Sequence, residues 1–243
     1  MVEKREKLYE GKAKIVYATD NPALVVQHFK DDATAFNAAK RGTIHNKGVI
    51  NNHISAILFQ LLGKEGVPTH FVERLNDREM LIRRCTMFPV EVVMRNVVAG
   101  SLAKRVGHPE GERLERPVLE YYYKDDALGD PMISTEHIQA FHLVADDDLA
   151  VVAQMARHVN EFLQRYFHEL GITLVDFKLE FGRCEGPQGK PAIVLADEIT
   201  PDTCRLWDAE TQEKLDKDRF RFDLGKVEES YQRVYRLVCA SVS

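Results

Sequence analysis

Cysteine is scarce in this chain, and its few residues follow no pattern. The four cysteines of the 243-residue sequence stand far apart, and no two of them form a C-x-x-C pair. Metal knuckles and disulfide frameworks need closely and regularly spaced cysteines, so the spacing argues against either as the basis of the fold. Free thiols in a reducing cytoplasm are the expected state.

Long apolar runs and a basic excess are also missing. No apolar run approaches the ~20 residues of a membrane span, and the charged residues 1–7 are not followed by the apolar segment of a secretory signal. The formal net charge is −5, whereas nucleic-acid-binding proteins usually carry a basic excess. These absences predict a cytoplasmic globular protein that binds neither a membrane nor nucleic acid.

The most informative stretch that is present, residues 174–182, alternates polar and apolar side chains. This two-residue period is typical of a strand with one wet face and one dry face. Asp176, Lys178 and Glu180 then form one row, each about 6.5 Å from the next. A solvated strand face with ion pairs along it is the ordinary interpretation of such a row.

A second strand-like run, residues 192–196, ends at Asp197, and a turn rich in glycine and proline separates the two runs. A hairpin centred near residues 187–188 would place Asp197 opposite Lys178 and beside Glu180, within a residue or two of register. Carboxylates gathered this closely repel each other, and a bound divalent cation removes the repulsion. Hard oxygen ligands with room for water and phosphate oxygens suit Mg²⁺ on a nucleotide.

Residues 8–17 form a second candidate for phosphate binding, with a strand–glycine–strand pattern. Lys12 and Lys14 share one face of the predicted hairpin, and Gly11 would let backbone amides approach a phosphate. The segment is not a Walker A loop, because the pattern G-x-x-x-x-G-K-[ST] is missing. From this motif alone, a surface hairpin with two solvated lysines is the favoured interpretation.

Two further segments concentrate groups that could hold an anion. In residues 95–105, Arg95 offers a planar fork and Ser101 a hydroxyl. Alternatively, Ser101 is the N-cap of a helix, which is compatible with phosphate binding at that helix N-terminus. The turn at residues 200–208 presents Arg205, which either closes over an anionic ligand or belongs to a surface turn anchored by tryptophan.

Helical periodicity and start and stop signals predict three helices, at residues 46–62, 147–170 and 226–242. The region 107–135 is rich in proline, glycine and charges, and is predicted to be a long loop with active-site walls around Lys124 and Asp130. A strand-rich part (residues 1–85) and a mixed remainder (residues 86–243) suggest two lobes with a cleft between them.

Taken together, these segments resemble the family of phosphoribosylaminoimidazole-succinocarboxamide synthase, also called SAICAR synthetase, nearly from end to end. The order and combination of the motifs are specific, more than any one motif alone. The motifs that carry the resemblance are YEGKAK (9–14), KGVINN (47–52), PVEVVMRN (89–96), AGSLAKR (99–105), VDFKLEFG (175–182), DEITPD (197–202) and RLWD (205–208).

The resemblance implies a two-lobed α+β fold with antiparallel sheets and helices, in which ATP occupies a cleft between the lobes. It also implies an ATP-dependent ligase of purine biosynthesis that acts in the cytoplasm and forms a homo-oligomer. The reaction joins L-aspartate to the carboxylate of a carboxyaminoimidazole ribonucleotide and yields an amide, ADP and phosphate, by way of an acyl phosphate.

The resemblance assigns roles to particular residues, grouped by ligand. The implied roles are ATP binding for Lys12, Ala13, Lys14, Val16, Lys124, Glu180 and Asp197, Mg²⁺ ligation for Glu180 and Asp197, ribonucleotide binding for Arg95, Ser101, Arg205 and Asp202, and catalysis for Lys178 and Asp176. Lys178 would contact the transferring phosphate, and Asp176 would orient Lys178 or accept the proton of the amine, with the first role preferred.

One departure from the family pattern concerns residues 36–38. Some relatives have Gly-Asp-Gly there, whereas this chain has Phe36-Asn37-Ala38. An asparagine cannot offer a metal the same charge, so Asn37 is predicted to be a polar contact only.

Two alternatives to the ligase remain open from the residues alone. A small-molecule kinase would use the same lysine hairpin and acidic metal pair, and a regulatory module could bind ATP without turnover. The combination of motifs favours the ligase over both.

Overall fold

The computed structural model of the chain describes residues 2–35, 39–185 and 190–242. In those ranges, groups of two to five strands are separated by helices. The strands are β1 (Lys4–Glu10), β2 (Lys14–Thr19), β3 (Leu24–Phe29), β4 (Asp32–Ala35), β5 (Lys40–Thr43), β6 (Phe71–Arg74), β7 (Glu79–Arg83), β8 (Thr86–Val97), β9 (Arg113–Tyr123), β10 (Met132–Ile133), β11 (Ile172–Glu185), β12 (Pro191–Ala196) and β13 (Cys204–Asp208). The helices are α1 (Lys47–Lys64), α2 (Gly100–Val106), α3 (Thr135–Ala140), α4 (Asp146–Glu169), α5 (Asp218–Arg221) and α6 (Val227–Ala240).

The first sheet is antiparallel and has the strand order β1-β2-β3-β7-β6. The Gly11 amide donates to the Lys14 carbonyl at 2.8 Å and closes the turn between β1 and β2. Buried Val25 and Phe29 of β3 pack with Met80 and Ile82 of β7, so this sheet has an apolar cluster of its own.

The second sheet has the order β10-β9-β8-β11-β12, and β13 pairs with the first half of β11. Strand β11 therefore has a neighbour on each side along most of its 14 residues. Phe177, Leu179 and Phe181 are each 1% exposed and belong to the main core, in agreement with the dry face predicted from the alternation. The charged side chains between them lie on the opposite face.

The main core combines both sequence halves, because helices from each half contribute to it. Leu163 and Phe167 of α4 lie in the same buried cluster as Ile54 and Leu58 of α1. Helix α1 packs on α6, whose Val238 is fully buried in that cluster. The first sheet is built from residues 4–83 and the second from residues 86–208, while the division into two lobes at residue 85 stays a prediction.

The three predicted helices are confirmed as α1, α4 and α6, with ends that differ by a few residues. The long loop predicted at residues 107–135 is wrong, because β9 occupies 11 residues of it and pairs with β8. Pro117 is tolerated because β9 has only the two-residue β10 along its other side, and a strand edge needs no hydrogen-bond donor there. The loop was predicted because this exposed edge strand contains a proline and several charged residues, a composition that is also typical of loops.

Two expected absences can be compared with the structure. None of the four cysteines, which all lie in the described ranges, is in a disulfide, as predicted. Among the described helices, none has the length and hydropathy of a membrane span.

Candidate active site

A cavity of about 490 Å³ opens against the charged face of β11. Its walls come from the β1–β2 turn, strands β8 and β9, the segment after β12, and helix α5. Most of the polar side chains in the walls are charged, so the cavity suits a ligand that carries charge of its own.

Lys178 lies in the cavity wall, between two glutamates. Its Nζ donates to Glu91 Oε1 at 2.7 Å and to Glu180 Oε1 at 2.6 Å. Burial by itself would lower the pKa of Lys178, but Glu180, Asp197 and Glu91 raise it well above its ordinary value. The side chain is therefore an ammonium ion at any physiological pH.

The position of Asp197 depends on an unusual backbone conformation. Strands β11 and β12 pair Glu180 with Ala196, one residue away from the predicted register, in which Glu180 would face Leu195. A continued strand would turn the side chain after Ala196 to the core face. Asp197 instead has φ 62°, in the left-handed region that aspartate tolerates, and its carboxylate reaches Lys14. The turn predicted at residues 187–188 lies outside the described residues.

Acidic and basic side chains alternate around Lys178. Lys14 pairs with Asp197 and also with Glu198 Oε1 at 2.9 Å, and Lys124 pairs with Glu180. Burial would raise the pKa of Asp197, but Lys14, Lys178 and Lys124 together hold it below its ordinary value. We call this group of lysines and carboxylates the lysine end of the cavity.

The opposite end of the cavity contains two arginines that share one aspartate. Arg95, which is 4% exposed, donates to Asp176 Oδ2 at 2.7 Å and to Glu120 Oε2 at 2.9 Å. Arg205 donates to the same Asp176 oxygen at 2.9 Å and to Asp218 Oδ2 at 2.8 Å. We call this group the arginine end.

Helix α2 completes the arginine end through a close backbone approach. The Arg95 Nη2 donates to Ser101 Oγ at 3.1 Å. Gly100, with φ +54°, has so little space that a Cβ atom there would lie 2.5 Å from the Arg205 Nη2. Only glycine combines this backbone conformation with the packing of the arginine.

A buried ion pair supports the floor of the arginine end. Lys47 at the start of α1 is 1% exposed and donates to Asp202 Oδ2 at 2.6 Å. Tyr231 of α6 donates to the other oxygen of Asp202, also at 2.6 Å. Asp202 is thus tied to two helices far from it in sequence.

Comparison with known proteins identifies the family. The family model described as SAICAR synthetase matches residues 7–238. A phosphoribosylaminoimidazole-succinocarboxamide synthase from Desulfitobacterium hafniense (strain Y51) is 57% identical and covers 98% of both chains. The chain belongs to the SAICAR synthetase family. As a member of this family, it is an ATP-dependent ligase of purine biosynthesis.

Solved structures of SAICAR synthetases have the same fold. The crystal structure of the Ehrlichia chaffeensis enzyme aligns with a TM-score of 0.93 at 47% identity, over 97% of this chain and 99% of that one. A SAICAR synthetase solved in complex with ADP aligns with a TM-score of 0.90 at 46% identity, over 96% and 97% of the two chains. These matches confirm the α+β fold class expected from the sequence.

The cavity of this SAICAR synthetase family member brings together nearly all the residues singled out in its sequence. The predicted site residues that line it are Lys12, Ala13, Lys14, Arg95, Ser101, Lys124, Asp176, Lys178, Glu180, Asp197, Asp202 and Arg205, and Asp130 lines it too. Val16 instead packs against the apolar cluster of the first sheet, and its contact with the nucleotide stays a prediction. Asn37 lies outside the described residues.

Two local interpretations are wrong. The N-cap of α2 is Ala99, so Ser101 lies inside the helix and its hydroxyl accepts from Arg95. The hydrogen bonds of Asp176 go to Arg95 and Arg205, while those of Lys178 go to two glutamates, so the preferred orienting contact between Asp176 and Lys178 is not formed.

Several cavity residues were missed by the sequence analysis. Glu91 lies within a family motif and pairs with Glu180 across β8 and β11, so its alternation with apolar neighbours was the signal that could have revealed it. Tyr122, which lines the cavity, and Glu120, which accepts from Arg95, lie in the strand that was mistaken for a loop. Lys217 and Arg221 belong to no short motif, and only the tertiary structure brings them to the cavity.

Proposed function

We propose that this cavity carries out the reaction of the SAICAR synthetase family, the joining of L-aspartate to the carboxylate of a carboxyaminoimidazole ribonucleotide. ATP drives the reaction and leaves as ADP and phosphate. The observation that carries the proposal is that Lys178, held between two glutamates, shares one cavity with the pair Arg95 and Arg205. Such a cavity has cations for a triphosphate at one end and for a ribonucleotide phosphate at the other.

The reaction has two steps because a carboxylate is a poor electrophile. First, an oxygen of the ribonucleotide carboxylate attacks the γ-phosphorus of ATP, the bond to the β-phosphate oxygen breaks, and ADP leaves. Then the amine of aspartate attacks the acyl carbon of the acyl phosphate, phosphate leaves with the bonding electrons, and the amine loses a proton. Phosphoryl transfer depends mainly on positioning and charge neutralisation.

Lys178 supplies charge neutralisation at the point of transfer. Its ammonium group lies at the surface of the cavity with two carboxylates in hydrogen-bond contact, and a γ-phosphate can replace one of them. Lys12 on the β1–β2 turn and Lys14 at the start of β2 contact the remaining phosphates, with Lys124 beside them. A lysine ammonium is a compact charge on a flexible stem and can follow a phosphoryl group as it moves.

Asp176 is a positioning residue in this proposal. It bridges Arg95 and Arg205 from a position that is 3% exposed, which fixes both guanidinium groups. The ribonucleotide is held, mainly by its 5′-phosphate, by the remaining donors of the two arginines and by Ser101. Asp202 lies nearby and also contacts the ribonucleotide. Both oxygens of Asp176 accept hydrogen bonds from an arginine, which favours positioning over proton abstraction.

The donor set at the lysine end fits Mg²⁺ that arrives with a nucleotide. Mg²⁺ usually takes one or two carboxylates and completes its octahedron with water and phosphate oxygens. Glu180 and Asp197 provide two such carboxylates, and no cluster of three or more metal-binding side chains exists among the described residues. These two residues would hold Mg²⁺, which when bound neutralises charge on the phosphate oxygens.

A co-substrate omission assay tests the reaction. We expect steady release of ADP and phosphate only when ATP, the ribonucleotide and L-aspartate are all present, with an aspartate amide as the product. Continued release of ADP over many turnovers without L-aspartate would instead indicate a kinase. ATP binding without release of phosphate in the complete mixture would indicate a regulatory module.

A magnesium titration tests the metal ligands separately. Glu180→Gln removes a charged ligand. The Mg²⁺ concentration needed for half-maximal ATP binding should therefore rise about tenfold or more. Glu185→Gln, at the exposed end of the same strand, is the matched control and should leave the titration unchanged. An identical titration for both variants contradicts the assignment of Glu180.

The location and assembly of the protein stay predictions. The free thiols are compatible with a cytoplasmic protein. A homo-oligomer is expected from the family resemblance, and gel filtration with light scattering would measure it.

A further inference from the structure

One cation of the cavity differs from all the others. The cavity is lined by eight lysines and arginines of the described chain, and seven of them contact a carboxylate within hydrogen-bond distance. These seven are Lys12, Lys14, Lys124, Lys178, Arg95, Arg205 and Arg221. The eighth is Lys217, which immediately precedes α5.

The contact of Lys217 with its neighbouring carboxylate is too long for a hydrogen bond. Its Nζ lies 4.0 Å from Asp202 Oδ2. That oxygen already accepts from Lys47, and the other oxygen of Asp202 accepts from Tyr231. Asp202 is therefore occupied by two donors that are both closer than Lys217.

Lys217 is nevertheless well shielded from water. Its side chain is 13% exposed, and the exposed part faces the cavity. Burial lowers the pKa of Lys217, and the neighbouring charges of Lys47 and Arg221 lower it further, although Asp202 opposes them. A shielded ammonium without a hydrogen-bonded anion is unfavourable, and an anionic group of a ligand would remove that cost.

Arg221 lies one helical turn after Lys217, and both side chains reach the same cavity. The Arg221 amide donates to the Lys217 carbonyl at 2.9 Å, so the four-residue spacing places the two side chains on one face. The Arg221 Nη1 holds Asp218 at 2.6 Å, and its remaining guanidinium donors can bind a ligand. The pair thus presents two cations to a single anionic group.

The other substrates already have cations in the proposed function. The lysine end serves the triphosphate and the ribonucleotide carboxylate that attacks it, and Arg95, Ser101 and Arg205 serve the ribonucleotide phosphate. L-Aspartate carries two carboxylates that still need partners. We propose that Lys217, with Arg221 beside it, binds a carboxylate of the L-aspartate substrate. This inference rests on the proposed function and names the residues that select the amino acid.

Steady-state kinetics of Lys217→Met test the inference, because methionine keeps the length of the chain and removes the charge. The KM for L-aspartate should rise about 10- to 100-fold, the loss expected for one charge-assisted hydrogen bond. The KM values for ATP and for the ribonucleotide should stay within about twofold of the wild-type values. Lys217→Arg retains a cation and should recover most of the affinity for L-aspartate.

Two controls accompany the measurement. Lys64→Met removes one exposed lysine at the end of α1, outside the cavity lining, and should change no KM value. Thermal unfolding and ADP binding should be the same for Lys217→Met and the wild type, which separates a loss of contact from a loss of folding.

The possible outcomes are distinguishable. A rise in the KM for the ribonucleotide, with that for L-aspartate unchanged, overturns the inference and assigns Lys217 to the phosphate. Unchanged KM values in a wild-type-like variant overturn it as well. If the wild-type protein itself forms no aspartate amide, the proposed function fails, whereas normal wild-type ligation with an unaffected variant contradicts only the role of Lys217.

Discussion

The two ends of the cavity hold their charges in different ways. At the lysine end, Lys14, Lys124 and Lys178 each contact one or two carboxylates from the surface of the cavity. At the arginine end, Arg95 alone has hydrogen bonds to four side chains and is almost fully buried. The lysine end can exchange a carboxylate for a phosphate at little structural cost, while the arginine end is organised before any ligand arrives.

This difference matches what each end has to do. A γ-phosphoryl group moves from one oxygen to another, and a flexible ammonium can follow it. A 5′-phosphate that anchors a substrate stays in place, and a fixed guanidinium binds it with little loss of entropy. Substitutions should therefore change turnover at the lysine end, and binding or stability at the arginine end.

The largest effect is expected at the lysine end, from Lys178→Ala. Loss of the ammonium beside the transferring phosphate should lower kcat about a thousandfold, equivalent to about 4 kcal/mol, while ATP binding stays measurable. Fixed-time product assays measure kcat, and titration with ADP measures nucleotide binding. Lys190→Ala, an exposed lysine outside the cavity lining, is the control. A wild-type kcat for Lys178→Ala would contradict the assigned role.

Asp202→Asn should have the next largest effect, on the free energy of unfolding. It leaves the buried Lys47 ammonium without a charged partner, which costs about 3 kcal/mol near pH 7. Burial would raise the pKa of Asp202, but Lys217 and Lys47 hold it below its ordinary value. The carboxylate therefore contributes stability above its unfolded pKa of about 4, and this contribution is lost as the pH falls toward the folded pKa.

Urea unfolding at several pH values checks this prediction. The difference between wild type and Asp202→Asn should shrink as the pH falls below about 4. Asp223→Asn, an exposed aspartate that pairs only at the surface, should show no such difference. A constant difference at every pH would mean that shape rather than charge explains the loss.

Arg205→Ala should affect ribonucleotide binding by a smaller amount. The KM for the ribonucleotide should rise about 10- to 100-fold through loss of a charge-assisted contact, with little change in the KM for ATP. Because Asp176 and Asp218 then lose a partner, Arg205→Lys serves as a second variant that keeps the charge. Equal increases in both KM values would show that the two ends are not independent.

The smallest effect is expected from Lys12→Ala at the outer rim of the lysine end. The ion pair of Lys12 with Asp126 is exposed, with 44% and 70% of the two side chains accessible. The KM for ATP should rise about fivefold or less, because solvent screens such a charge. A rise in the KM for ATP of about a thousandfold, as large as the fall in kcat expected for Lys178→Ala, would mean that the β1–β2 turn closes tightly over the nucleotide.

The sequence was sufficient where local periodicity decides the structure. The alternation in β11 predicted its dry face, and helical periodicity predicted the helices α1, α4 and α6. The same alternation placed Asp176, Lys178 and Glu180 in one row. Nearly all the site residues implied by the family resemblance line the cavity.

The tertiary structure decided the partners within that row. Asp176 and Lys178 share a face, yet neighbouring strands supply closer partners to each, the arginines to one and Glu91 to the other. The register of β12 was predicted one residue away, and the left-handed conformation of Asp197 returns its carboxylate to the cavity. No local pattern reveals a single backbone dihedral of this kind.

Lys217 shows the difference between what the sequence reveals and what the tertiary structure reveals. In the sequence it is one of several lysines between acidic residues, with no periodicity or motif to distinguish it. Its importance comes from the competition of Lys47 and Tyr231 for Asp202, and these groups come together only in the folded chain. Sequence determined which charges this protein has, and folding determined which one of them is left for a ligand.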